Sequence, residues 1–85
     1  MNAINWLKLP IIGAPGSECG MRLLPEGQTE VAQDFKDEFG PCDEPGRWLA
    51  GMLFLCQKHA GIVAAEFGDD IEKIEAAWRR QLSGG

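Results

Sequence analysis

The residues of this chain best suited to chemistry are Cys19, Cys42, Cys56 and its single histidine, His59. Three cysteines and a histidine are an accepted ligand set for structural zinc. Their spacing argues against that use. No Cys-x-x-Cys pair is present, and only Cys56-x-x-His59 puts two donors one helical turn apart on one face. Cys42 lies just ahead of an apolar stretch that reads as helix. The fourteen residues from Cys42 to Cys56, at about 1.5 Å each, would hold the two about 20 Å apart. A zinc–sulfur bond is about 2.3 Å, so Cys42 and Cys56 share an ion only if that helix breaks. Cys19 could fold over to join Cys56 and His59, but no fourth ligand is evident. Cys19, Cys56 and His59 are therefore weak metal candidates, and the expectation is no metal and no cofactor.

The same Cys56–His59 spacing could hold a nucleophile and its base. That chemistry needs an exposed thiolate in an electropositive pocket and a third group to orient the base. Cys56 follows Leu53, Phe54 and Leu55, a setting that suits an inert buried thiol. His59 reads as partly buried, with one ring nitrogen hydrogen-bonded. Gly13-Ala14-Pro15-Gly16 lacks the lysine and hydroxyl of a phosphate-binding loop. No catalytic residue is expected, and the chain does not read as an enzyme.

Carboxylates dominate the surface. Residues 26–44 carry seven, Glu26, Glu30, Asp34, Asp37, Glu38, Asp43 and Glu44, against Lys36 alone. Residues 66–75 add Glu66, Asp69, Asp70, Glu72 and Glu75 against Lys73, whereas residues 45–65 carry only Arg47 and Lys58 as charges. The net charge of −5 disfavours direct nucleic-acid binding and anionic membranes. Aromatics interleaved with basic residues, which nucleic-acid readers use, are absent. Either this is a solvated face or it engages a basic protein partner through Glu30, Asp34, Asp37, Glu38, Asp43 and Glu44. Carboxylates spaced along a helix can imitate phosphates and steer association with a cationic cleft.

The positioning elements read as mainly α: a three-helix domain around a buried central helix, with an extended or short β-hairpin N-terminal segment. The 85 residues allow one domain. Residues 1–24 form the arm or hairpin, 25–82 the helical core and 83–85 a frayed tail. A hairpin of 7–12 with 20–24 is one option for the first segment. A first helix over 27–39 follows from Val31, Phe35 and Phe39 recurring every four residues, with Gly40-Pro41 as its stop. The run from Arg47 to Phe67 is apolar on nearly every side, so the second helix, 44–66, should be the least exposed. Gly51 and Gly61 each weaken it by about 1 kcal/mol. A third helix over 69–82 carries an Ile71, Ile74, Trp78 and Leu82 stripe, an Asp69–Glu72 capping box and a Glu75–Arg79 pair.

The arm offers an alternative docking surface through Trp6, Leu9, Ile11 and Ile12, since apolar patches on small proteins mark interfaces. Its N-terminus lacks the basic and apolar regions of a signal peptide, and no window approaches the roughly 18 apolar residues of a membrane span. An odd cysteine count fits a reducing compartment, so a cytoplasmic location is expected.

Three functions fit these features. The first is a small acidic protein-binding module or inhibitor, by analogy of size and charge with phage and mobile-element proteins that block host nucleic-acid machinery. The second is an accessory subunit docking through the arm. The third is a Cys/His metal-binding domain. Oligomeric state is not readable.

Overall fold

Gly51 breaks the long apolar run. In a computed structural model, which describes residues 4–83, its φ is +65°, while Met52 beside it keeps a negative φ. That combination has the sense of a type II′ turn, which places glycine at the first position of a two-residue hairpin loop. The expected central helix is therefore a hairpin followed by a shorter helix, and the mainly helical reading gives way to an α+β fold. The strands are β1 (Trp6–Lys8), β2 (Met21–Leu23), β3 (Thr29–Val31), β4 (Trp48–Ala50) and β5 (Leu53–Leu55). The helices are α1 (Gln33–Phe39), α2 (Gln57–Glu66) and α3 (Ile71–Ser83).

The five strands form one antiparallel sheet in the order β1-β4-β5-β2-β3. Trp48 lies opposite Leu55 and Leu49 opposite Phe54 across the β4–β5 hairpin. Successive strand residues point to opposite faces, yet Phe54 and Leu55 are both buried. A strand covered on both faces has no polar side and so resembles a buried helix in sequence. The N-terminal segment makes no hairpin with residues 20–24. β1 pairs instead with β4, Trp6 facing Ala50 and Lys8 facing Trp48.

β2 turns into β3 through Leu24-Pro25-Glu26-Gly27. Pro25 takes the second turn position, and the Gly27 N–H donates to the Leu24 carbonyl at 2.9 Å. The β-branched Thr29 and Val31 extend the strand, so the first helix starts only at Gln33. It ends at Phe39 as expected, with Gly40 at φ +77°. The second helix closes at Glu66 before Gly68 (φ +77°). The third begins on Asp70 rather than Asp69: Asp70 Oδ1 accepts the Glu72 N–H at 3.0 Å. Ile71 is buried and Ile74 and Trp78 half-buried, but Leu82 is exposed. Gly84 and Gly85 of the expected frayed tail lie outside the described residues.

Trp48 and Leu55 are fully buried, and Trp6 packs edge-on against Trp48 with centroids 6.1 Å apart. Ala60 and Ala64, also fully buried, let α2 lie close over β4 and β5. Trp48→Ala should cost about 3–5 kcal/mol, comparable with the roughly 5 kcal/mol expected for so small a domain. A urea titration should find the unfolding midpoint moved far down in denaturant; a midpoint like that of the parent would contradict this core.

No helix among the described residues is long and apolar enough to cross a membrane.

Candidate metal centre

The β4–β5 hairpin has a chemical consequence. A strand pair returns on itself, so residues before β4 and after β5 meet at one end of the sheet. Cys42 and Cys56, expected about 20 Å apart on a continuous helix, have sulfurs 4.0 Å apart. Cys42 thus stands where a fourth candidate ligand is needed. One ligand atom from each of Cys19, Cys42, Cys56 and His59 lies within 4.8 Å of the others.

Each donor is held by local structure. Cys19 precedes β2 in a loop fastened to the segment before β4. Its N–H donates to the Glu44 carbonyl at 3.1 Å, and the Gly46 N–H donates to the Ser17 carbonyl at 3.0 Å. Glu18 and Pro45 form a β-bridge between the same two segments. Cys42 lies just beyond the Gly40-Pro41 stop that ends α1. Cys56 is the N-cap of α2, and His59 stands one turn on. The His59 ring packs against Phe35 and Phe39, with centroids 5.1 Å away in each case. Those two rings fix its plane while Nδ1 faces the sulfurs.

The dimensions fit one tetrahedral ion. Zinc bonds of about 2.3 Å to sulfur and 2.0–2.1 Å to nitrogen imply ~3.8 Å between sulfurs and ~3.6 Å from sulfur to nitrogen. His59 Nδ1 is 3.2 Å from Cys56 Sγ and 3.4 Å from Cys19 Sγ. The 4.0 Å between Cys42 and Cys56 sulfurs is about twice a disulfide bond, and all three cysteines are free thiols. A set of three soft sulfurs and one imidazole selects zinc among common divalent ions.

The electrostatics agree. Burial pushes the Cys19 thiol well up, offset in part by a hydrogen bond from the Cys56 backbone N–H to its sulfur. The Cys42 and Cys56 side chains beside it raise it further. A thiolate there needs a cation, and a bound metal reverses the local preference. Burial, with a contribution from Lys58, pushes His59 below its usual value of 6.5. The neutral imidazole is therefore favoured near pH 7, and that is the form that ligates metal.

Gly46 is the tightest point of this scaffold. A Cβ there would collide with the Ser17 carbonyl oxygen and press on Phe54 Cβ at 3.3 Å. Gly46→Ala should destabilise the domain by about 1–3 kcal/mol and weaken metal retention, because the loops bearing Cys19 and Cys42 part together. Thermal melting with metal analysis tests this; a variant that melts like the parent and keeps its metal would count against it.

The other sequence candidates do not converge on the centre. Glu30 on β3 pairs with Arg22 across the strands. Asp34, Asp37 and Glu38 lie on α1, where Asp37 accepts a hydrogen bond from Gln33 at 3.2 Å. Asp43 and Glu44 follow Cys42 in its loop. Of the arm, Trp6 is core, Leu9 is half-buried with its N–H on the Arg47 carbonyl, and Ile11 and Ile12 are exposed. The functional residue that sequence reasoning set aside is Cys42. The signal for it was Gly51, whose cost to a helix is no cost to a turn. No protein-family model, curated protein or solved structure matches this chain.

Proposed function

We propose that this chain is a small zinc-stapled binding domain, not an enzyme, that engages a basic protein partner. The observation that carries the metal half is the convergence of Cys19, Cys42, Cys56 and His59, with all four donor atoms within 4.8 Å of one another. Four protein ligands close a tetrahedral site and leave no position for substrate, the arrangement of structural rather than catalytic zinc. A small domain gains most from such a staple, because its core is limited. The partner half rests on charge. The net charge is −5, with seven carboxylates against one lysine over residues 26–44, and such a surface steers association with cationic partners. Unpaired thiols and a thiolate metal site suit a reducing compartment, which makes the cytoplasm its place of action.

Elemental analysis of purified protein tests the metal half. One zinc per chain is expected, released when the thiols are titrated with a mercurial. Cobalt in its place should give strong visible bands and a thiolate charge-transfer band. A chain folded without metal and spectrally silent with cobalt would overturn the reading.

A further inference from the structure

Phe35 and Phe39, the two rings packed on His59, also line a groove of about 340 Å³ between α1 and α2. Its apolar lining includes Phe39, Leu53, Val63 and Phe67. Phe67 is 56% exposed, yet its backbone is anchored, its N–H reaching the Val63 and Ala64 carbonyls at 3.2 and 3.1 Å. A large aromatic side chain is thus held in water beside other apolar groups. Asp34 and Glu38 on α1 and Glu66 on α2 also line the groove, and no lysine, arginine or histidine does. None of the three carboxylates enters an ion pair among the described residues.

We infer that this groove is the binding surface for an amphipathic segment of a partner protein, large apolar side chains seated between α1 and α2 and flanking Lys or Arg meeting Asp34, Glu38 and Glu66. The inference rests on the basic-partner reading and adds where and how that partner sits. Apolar floor and acidic walls specify the two faces of such a segment separately, as helix-in-groove recognition does. The walls also reject acidic segments, since like charges brought together without water are strongly disfavoured. Because Phe35 and Phe39 pack on His59 and also line the groove, a metal held by His59 would help keep the groove in shape.

The test uses zinc-loaded protein and two amphipathic peptides, one of leucine and lysine and one of leucine and glutamate. The lysine peptide should bind, with amide shifts centred on Val63 and Phe67, and the glutamate peptide should not. Glu38→Lys with Glu66→Lys, both at exposed positions, should weaken binding at least tenfold. Phe67→Ser should do the same without altering the far-ultraviolet spectrum. If the lysine peptide binds but responds only to Asp43→Lys with Glu44→Lys, the groove is overturned and the basic-partner reading stands. If neither peptide binds, both fail. Equal binding of the two peptides overturns the charge argument, and sedimentation showing groove-dependent dimers would make a second copy the occupant instead.

Discussion

Removing zinc with a chelator is expected to unfold this protein, and returning zinc to refold it. Structural zinc contributes about 10–16 kcal/mol to small zinc-dependent folds at pH 7, more than the roughly 5 kcal/mol of a domain this size. The geometry says why the loss would be general. The candidate centre gathers the loop before β2, the loop after α1 and the first turn of α2, so three separate segments of the chain would be tied by one ion. The strands themselves are three residues each, at the short end of the usual range. Loss of the ion leaves Cys19 and Cys56 buried beside one another and removes the charge that stabilised their thiolates. Circular dichroism and tryptophan emission should change together, because Trp6 and Trp48 are both buried. Native spectra in protein shown by elemental analysis to be metal-free would refute this.

Zinc affinity should rise at least about tenfold for each pH unit between neutrality and mild alkali. The sign follows from what must leave. Burial pushes the Cys19 thiol up, so without metal it holds its proton at neutral pH, and zinc must expel that proton to bind. One proton released per ion gives a factor of ten per unit, and each further thiol proton displaced multiplies it. His59 works the other way. Its value is pushed below 6.5, so near pH 7 it is already neutral and gives up no proton. Its protonation joins the competition only at lower pH, where zinc release should steepen. Competition against a chromophoric chelator across pH measures the slope, and calorimetry in buffers of differing ionisation heat counts the protons. An affinity flat with pH would mean the thiols are not ligands.

The contrast between the legible and the illegible parts of this chain lies in range. Gly40-Pro41 and Gly68 stop α1 and α2 where the sequence puts the stops, because a glycine in the left-handed region acts on its own turn. Glu75 and Arg79 pair at 2.7 Å, because neighbours four apart on a helix meet whatever surrounds them. The run from Trp48 to Leu55 was a different matter. Its residues are apolar at every phase, so neither a 3.6 nor a 2.0 period shows, and a buried helix and a central strand pair look alike. The metal centre failed with it. Cys19, Cys56 and His59 could be singled out by type, but Cys42 was excluded by a length computed for the wrong element.

What the residues by themselves determined is therefore local: the helix stops, the cap of the last helix within a residue, the acidic balance and the donor chemistry of three thiols and an imidazole. Only the tertiary structure decided that β4 folds back on β5, and with it that Cys42 and Cys56 lie 4.0 Å apart. The physical reason is that turning at Gly51 costs little in itself and wins only through contacts with β1, β2 and α2. Those partners lie far along the chain and leave no mark on the residues they cover.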